Sequence, residues 1–266
     1  MKLFLKGLAA VALLASTPLW AEPDAVVETA AEEPAPRYRL VLILDDIGNN
    51  AAAGMRAVNL PGQVTYAVMP FTPHGKMLAE AAHQAGKEVM LHAPMSNLAG
   101  MALGEGGLTL SQPEDVFVST LRRALADIPH ISGLNNHTGS ELTAALQPMS
   151  WVMQELKQRQ LYFVDSMTTN KSVAYNTAQQ YQVPSLKRHV FLDNVQEREA
   201  IDKEFKRALR LAQDQGFAVA IGHPYPETLA YLESILPALA ATGIELAPPS
   251  VMLEQLRAAS LFPDQP

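Results

Sequence analysis

Residues 39–48, with the sequence RLVLILDDIG, decide the class of fold. After Arg39 the stretch is an unbroken run of leucine and β-branched side chains as far as Leu44. Such a run predicts a strand that is buried on both faces, as the strands of parallel sheets are. Two adjacent carboxylates, Asp45 and Asp46, follow at once. Because they repel each other and are costly to desolvate at the end of a buried strand, we expect a nearby cation or a shared proton to stabilise them.

The alternation of strand and helix patterns continues to the end of the chain. Further strands are predicted at 64–69, 88–91, 133–135, 162–164, 190–192, 217–221 and 244–246. Between them apolar residues recur at helical spacing, as in Ile201, Phe205, Leu209 and Ala212. Repeated strand–helix units imply parallel strands joined by crossover helices. Seven or eight such units in about 230 residues favour a single α/β domain built as a (β/α) barrel.

The alternative architecture is an open, doubly wound parallel sheet. No GxGxxG motif follows the first predicted strand, which weakens a dinucleotide-binding form of that sheet. In either fold the carboxyl ends of all strands face one side, so the position of a site does not depend on the choice.

The composition excludes several classes of protein. With no cysteine in 266 residues, the chain has no disulfide, Cys-ligated zinc, iron–sulfur cluster or cysteine nucleophile, so any metal must bind to His, Asp, Glu or water. The formal net charge is −7, which argues against a nucleic-acid partner held by net positive charge. A chain that is 48% hydrophobic and 18% charged is expected to fold around a sizeable core.

The first 37 residues predict an export signal and a linker. Residues 1–21 combine two lysines with a short apolar run and end at the small Ala21, a pattern typical of a cleavable secretory signal peptide. Leu19, at the −3 position, leaves an uncleaved anchor as the alternative. Residues 22–37 are acidic and rich in Pro and Ala, which predicts a disordered linker. No later segment has the length and apolarity of a transmembrane helix, so we expect a periplasmic protein whose one folded domain covers residues 38–266.

Polar side chains collect directly after the predicted strands. They include three histidines and four aspartates, at Asp45, Asp46, His92, His137, Asp165, Asp193 and His223. Asp165 and Asp193 could equally cap the helices that follow them. One Asp and two His make a three-ligand metal site that keeps a position open for water. With a second carboxylate as base and a separate histidine as acid, the pattern predicts metal-assisted hydrolysis of an amide or ester.

Six motifs stand at these strand ends, in the order LILDDIG (42–48), EVMLHAPM (88–95), GLNNHTGS (133–140), FVDS (163–166), VFLD (190–193) and AIGHP (220–224). As a set they resemble the divergent polysaccharide deacetylase family, a branch of the NodB-like carbohydrate esterases. The resemblance runs from about residue 39 to about residue 256. It implies a distorted (β/α) barrel with about seven parallel strands.

The resemblance also implies roles for particular residues. The first carboxylate of the pair, Asp45, matches the catalytic base, and Asp46 matches a metal ligand. His92 matches the first histidine ligand of the metal. His223 matches the strand-end histidine that acts as general acid or helps to bind the acetyl product.

The sequence departs from the wider pattern in two places. Residues 93–97 lack the second metal-binding histidine, so we predict that His137 supplies it from the neighbouring strand. The arginine motif of the fourth strand is also missing, and we predict that Arg188 orients the base instead. Supporting roles around the ligands or the substrate are expected for Asn136, Ser140, Asp165 and Asp193, with the two aspartates orienting histidines.

These expectations define an exported hydrolase that uses a divalent metal, with Zn²⁺ the expected ion, to remove acetyl groups from an N- or O-acetylated envelope glycan such as peptidoglycan. One alternative is a glycan-binding or scaffold protein that keeps the metal site without catalysis. Another is a metal-dependent amidase that acts on peptide stems.

Overall fold

The computed structural model describes residues 38–261, so the predicted signal peptide (1–21) and linker (22–37) lie outside the described residues. Within 38–261 the strands are β1 Tyr38–Ile47, β2 Thr65–Val68, β3 Val89–Met95, β4 Ile131–Thr138, β5 Tyr162–Asp165, β6 Ser185–Lys187, β7 Val190–Phe191, β8 Phe217–Gly222 and β9 Ile244–Leu246. The α-helices of the same range are α1 Ala51–Val58, α2 Gly75–Gln84, α3 Glu114–Asp127, α4 Leu146–Gln158, α5 Ala174–Gln180, α6 Arg198–Gln215, α7 Pro226–Ile235 and α8 Pro249–Leu261.

The sheet is parallel throughout, and a two-residue connection links its two edge strands. Its strands follow the order β6-β5-β4-β3-β2-β1-β8-β7, and β9 pairs with the first residues of β1. Strands β6 and β7 stand at opposite ends of that order, yet only Arg188 and His189 separate them in sequence. The Arg188 amide donates to Asp165 on β5, and the His189 amide donates to Val219 on β8. The sheet therefore curls into a distorted (β/α) barrel, as predicted, and the open doubly wound alternative is wrong.

Strand β1 shows why the opening sequence run is apolar on both faces. Leu40, Leu42 and Leu44 pack in the large core between the sheet and the surrounding helices. Val41 and Ile43 alternate with them and pack in a smaller core inside the barrel. All of these side chains are fully buried, so the run fills two cores at once.

Helix α8 closes the amino end of the barrel. Its Met252 joins the inner core, and its Ser250 donates from both the backbone nitrogen and the side chain to the carboxylate of Glu88. The hydroxyl of Tyr162, on the first residue of β5, also donates to Glu88, at 2.8 Å. The opposite end of the barrel is left for the candidate site. None of the helices in residues 38–261 combines the length and apolarity needed to cross a membrane.

Candidate metal and catalytic site

The backbone at the end of β1 directs two consecutive carboxylates to one place. Neighbouring residues of a strand normally point to opposite faces. Here Asp46 has a left-handed backbone with φ of 58°, a conformation that Asp tolerates better than most residues. Consequently Asp45 Oδ2 and Asp46 Oδ1 lie 3.7 and 3.2 Å from the same atom, Nε2 of His92.

Asp46, His92 and His137 bring three ligand atoms together. Asp46 Oδ1 lies 2.8 Å from His137 Nδ1 and 3.2 Å from His92 Nε2, and the two ring nitrogens are 3.1 Å apart. His92 lies on β3 and His137 on the adjacent β4. Within the described residues these three form the group able to hold a metal ion, and they are the residues predicted from the sequence.

The geometry of the cluster fits a metal ion better than a set of hydrogen bonds. Asp46 Oδ1 is buried and has no hydrogen-bond partner of acceptable geometry, although two ring nitrogens lie within 3.2 Å. Buried polar atoms of folded proteins nearly always have a partner. The ligands of a tetrahedral zinc site, with bonds near 2.0–2.1 Å, stand about 3.3 Å apart, close to the spacings seen here.

Asn135 selects the tautomer of His92 that can bind a metal through Nε2. Its Nδ2 donates to Asp45 Oδ1 at 2.8 Å, and its Oδ1 is 2.7 Å from His92 Nδ1. Because an ionised carboxylate only accepts, the amide nitrogen must face Asp45 and the amide oxygen must accept from His92 Nδ1. That hydrogen bond puts the proton of a neutral His92 on Nδ1 and leaves the lone pair of Nε2 directed at the cluster.

The two carboxylates of the pair have opposite pKa shifts. Burial raises the pKa of Asp45, although the charges of His92 and His223 and the Asn135 hydrogen bond oppose the shift. Burial acts in the same direction on Asp46, but the close imidazole rings of His137 and His92 outweigh it and hold the pKa of Asp46 far below its usual range. Asp46 is therefore the permanently ionised member, suited to a ligand, and Asp45 is the more basic one, suited to a proton acceptor.

His223 stands on the other side of the carboxylates and is held by Asp193. Its Nδ1 lies 3.0 Å from Asp193 Oδ1, while its backbone nitrogen and the hydroxyl of Thr228 both donate to Asp193 Oδ2. Nε2 of His223 faces Asp46 Oδ2 at 3.8 Å. Burial lowers the pKa of His223, but Asp193 and the pair Asp45 and Asp46 outweigh it and raise that pKa to about 9. At neutral pH His223 is thus a protonated acid.

Arg188 was expected to orient Asp45, the predicted base, but it makes no direct contact with that side chain. Its Nε and Nη2 donate to the backbone carbonyls of Ser166 and Met167, at 2.6 and 2.8 Å. Its guanidinium lies 5.0 Å from the centre of the Phe191 ring. Arg188 therefore anchors the loop after β5.

Asp165 is placed differently from Asp193, and the expectation that it orients a histidine is wrong. Its Oδ2 accepts from the Ser172 hydroxyl at 2.7 Å and from the Tyr175 amide at 3.3 Å, and its Oδ1 accepts from the Met167 amide. These contacts fix the loop that leads into α5. The helix-capping alternative describes this role better.

Asn136 and Ser140 also hold loops. Asn136 Oδ1 accepts from the Ser166 amide at 2.9 Å, and its Nδ2 donates to the Thr138 carbonyl. Ser140 Oγ accepts from the Leu98 amide at 3.0 Å, which ties down the loop after β3. Asn136 lines the cavity beside the cluster, so it remains a candidate for substrate contact.

Two clefts meet at the cluster. The larger, of about 660 Å³, is lined by Asp45, His92, His137 and His223. The smaller, of about 350 Å³, is lined by Asp46 and again by His137. The ligand atoms are therefore reachable from two sides, and Asp45 and His223 share the larger cleft.

Sequence reasoning did not assign a role to Asn135 or Thr228. The signal for Asn135 was its position two residues before His137, which places both on one face of the same strand. Asn135 is also the register partner of His92. Thr228 is a fully buried hydroxyl on α7 with no sequence signal that links it to Asp193.

The fold and the site together define a (β/α) barrel with a candidate three-ligand metal site open to a cavity. Residues 42–253 match the family described as divergent polysaccharide deacetylase, so the chain belongs to that family. The resemblance found in the motifs is thereby confirmed over nearly the whole described domain.

Individual relatives agree with this assignment. The protein YibQ of Escherichia coli is 35% identical over 207 residues, which cover 78% of this chain, and the chain spans 65% of the length of YibQ. The crystal structure of ATU2773 from Agrobacterium tumefaciens superposes with a TM-score of 0.79 at 22% identity, covering 82% of this chain and 90% of that one. A mutant of BA3943, a CE4 family pseudoenzyme with restored enzymatic activity, superposes with a TM-score of 0.52 at 13% identity, covering 83% of this chain and 69% of that one. At these identities the two structures show the fold alone.

Proposed function

We propose that the protein is an exported, metal-dependent hydrolase that removes acetyl groups from an N- or O-acetylated envelope polysaccharide. The observation that carries the proposal is the meeting of a three-ligand cluster with a base and an acid at one point. Asp46, His92 and His137 would hold the ion, and Asp45 and His223 flank them in the larger cleft. Family membership supports the glycan substrate, and the pattern of residues 1–21 supports export.

The side chains of the larger cleft divide the chemistry between them. A divalent ion, with Zn²⁺ suited to one carboxylate and two imidazoles, would supply a Lewis acid that acidifies water and polarises the acetyl carbonyl. Asp45 takes a proton from the attacking water, and its raised pKa favours that transfer. His223, protonated and held by Asp193, donates a proton to the leaving nitrogen or oxygen.

Acetate release tests the reaction. The purified protein, loaded with Zn²⁺, is incubated with solubilised peptidoglycan fragments and with acetylated chito-oligosaccharides, and free acetate is measured enzymatically. We expect acetate from the wild type and at least a hundredfold less from the Asp45→Asn variant, within the range of loss for a general base. Mass spectrometry of the products separates loss of an acetyl group from cleavage of a peptide stem. Peptide cleavage without acetate would replace the proposal with the amidase alternative.

A non-catalytic glycan-binding role is the second candidate. The chain lacks the arginine motif of the wider pattern, and Arg188 does not contact Asp45 in its place. BA3943, which shares the fold, is a pseudoenzyme whose mutant has restored activity, so the fold is compatible with either state. Binding of the same fragments by the wild type, with acetate no higher than in Asp45→Asn, would favour this second role.

A further inference from the structure

One wall of the larger cleft is positively charged, although the chain as a whole carries a formal charge of −7. The wall consists of Arg188, after β6, and of Lys203 and Arg207 on α6. Glu204 is the acidic residue that lines the same part of the cleft. We call these three basic residues the cationic wall.

Helix α6 places two exposed basic residues, Lys203 and Arg207, on the side that lines the cleft. Asp202 and Lys206, four residues apart, form an ion pair of 2.7 Å with each other. Lys203 and Arg207 have the same spacing but carry the same charge, an arrangement that destabilises a helix. Glu204 pairs with Arg207 at 2.9 Å and offsets one of the two charges. Lys203 has no ion-pair partner in the part of the chain that the structure describes.

Arg188 adds a second cation without a direct ion pair, although the charges of Asp45 and Asp165 act on it from beyond 4.0 Å. Its side chain is half-buried and bonded to two neutral carbonyls, and no carboxylate lies within 4.0 Å of it among residues 38–261. Buried or half-buried charges normally have a partner of opposite sign. Because Nε and Nη2 already donate to backbone carbonyls, Nη1 is the nitrogen left with both of its hydrogens to donate to a carboxylate.

We propose that the cationic wall binds a carboxylate carried by the acetylated glycan, so that the preferred substrate is an anionic, carboxylate-bearing sugar polymer. The proposal rests on the deacetylase function proposed above, because it places the carboxylate in the same cleft as Asp45 and His223. Two cations, Arg188 and Lys203, remain on the wall once Arg207 is paired with Glu204, and a carboxylate on the glycan would give them a shared anionic partner. A neutral acetylated glycan would leave Arg188 and Lys203 without a direct ion-pair partner.

Two matched probes test the preference. The first is the disaccharide of N-acetylglucosamine and N-acetylmuramic acid with its carboxylate free, and the second is the same disaccharide with that carboxyl converted to its methylamide. We expect kcat/KM for acetate release to be about tenfold higher for the free carboxylate, the size of effect that one partly exposed, hydrogen-bonded charge pair can give. Lys203→Gln should reduce that ratio by about threefold, and Lys203→Glu should abolish it. Lys206→Gln, on the same helix but outside the cleft, should leave it unchanged.

A binding measurement keeps the test independent of turnover. Calorimetric titration of the chelator-treated full-length protein with each probe should give a lower Kd for the free carboxylate, and the difference should shrink in Lys203→Gln. Equal Kd values, or no binding of either probe, would overturn the inference. Equal rates of acetate release from both probes would also overturn it while leaving the deacetylase proposal intact. Different Kd values without acetate release would support the wall and remove the catalytic proposal.

Discussion

The two ends of the barrel use partly buried carboxylates in opposite ways. At the amino end, Glu88 receives hydrogen bonds from Tyr162 and from two atoms of Ser250, and it joins three elements. At the carboxyl end, Asp46 Oδ1 is buried without a hydrogen-bond partner, in the midst of two histidines. Since folded proteins satisfy nearly every buried polar atom, the first end is complete as it stands and the second is arranged for a ligand.

The two ends of the barrel also differ in where left-handed backbone conformations occur and in what they do. Left-handed residues before β4, β5 and β6, at His130, Gln160 and Gln182, follow the ends of helices, where this conformation is common. Left-handed residues at the carboxyl ends of strands, such as Asp46 and Thr138, instead redirect the chain beside the site. Such conformations are unfavourable for residues other than glycine and persist where the surroundings hold them. The carboxyl end therefore accepts unfavourable backbone geometry in order to place its side chains.

The largest effect is expected when a protein ligand of the proposed metal is removed, which tests whether the carboxyl end of the barrel is arranged to bind an ion. We expect Asp46→Ala and His92→Ala to lose the bound metal and about 10³-fold or more of the acetate-releasing activity, since each would leave two protein ligands. Metal content is measured by plasma mass spectrometry after dialysis against Zn²⁺. Glu80→Ala, which removes a carboxylate from the surface His130 pair, is the control and should keep its metal. Equal and low metal in the wild type and both ligand variants would refute the site.

A smaller loss is expected at the residue that fixes His92. Asn135→Ala removes the hydrogen bonds to His92 Nδ1 and to Asp45, and outer contacts of this kind are worth about 10–100-fold in metal affinity or activity. Competition with a zinc chelator gives the affinity. Asn136→Ala is the neighbouring comparison, because Asn136 bonds to Ser166 and Thr138 rather than to a histidine. If both variants lose metal equally, Asn135 has no special role in the tautomer of His92.

The sequence predicts strands well where they are apolar and poorly where they are not. The run at β1 identifies its strand because two cores demand apolar residues on both faces. Strands β3 and β4 continue beyond their apolar stretches, through residues such as His92 and Asn135, because these polar groups bond to each other across the strands. Strand β6 was not predicted, since Ser185–Lys187 offers one apolar residue and is recognised only by its pairing with β5.

For the candidate site, too, the sequence predicts some features and not others. The convergence of Asp46, His92 and His137 follows from strand ends that face one side, so it could be predicted without coordinates. Asp165 and Asp193 both follow a strand, yet Asp193 holds His223 and Asp165 holds a loop. What distinguishes them is the neighbour that each side chain meets in space, and that depends on the packing of α5 and α7 rather than on local sequence.

The Asp193→Asn variant tests whether Asp193 raises the pKa of His223 and so keeps it protonated as a general acid. Activity that needs protonated His223 should fall as the pH rises through its pKa of about 9. Asp193→Asn removes the charge that raises this pKa, so the alkaline limb should move toward the usual histidine value of about 6.5, with up to about a thirtyfold loss at pH 8. The charge of a bound metal lowers the pKa of His223 in both proteins, so the difference between them should remain. Coincident pH–rate profiles would show that Asp193 does not tune the acid.

The smallest effect on activity is expected at Glu88, and the most direct test of the two ends compares the same isosteric change at Glu88 and at Asp45. Glu88→Gln weakens the hydrogen bonds from Tyr162 and Ser250 and should destabilise the fold by about 1–2 kcal/mol, with kcat unchanged. Asp45→Asn should do the reverse: because burial raises the pKa of Asp45, its ionised form is disfavoured in the folded state, and removing the charge should keep or raise Tm while activity is lost. Thermal unfolding and acetate release are measured on both variants. A large loss of activity in Glu88→Gln, or a marked fall of Tm in Asp45→Asn, would mean that the two ends are not separate in function.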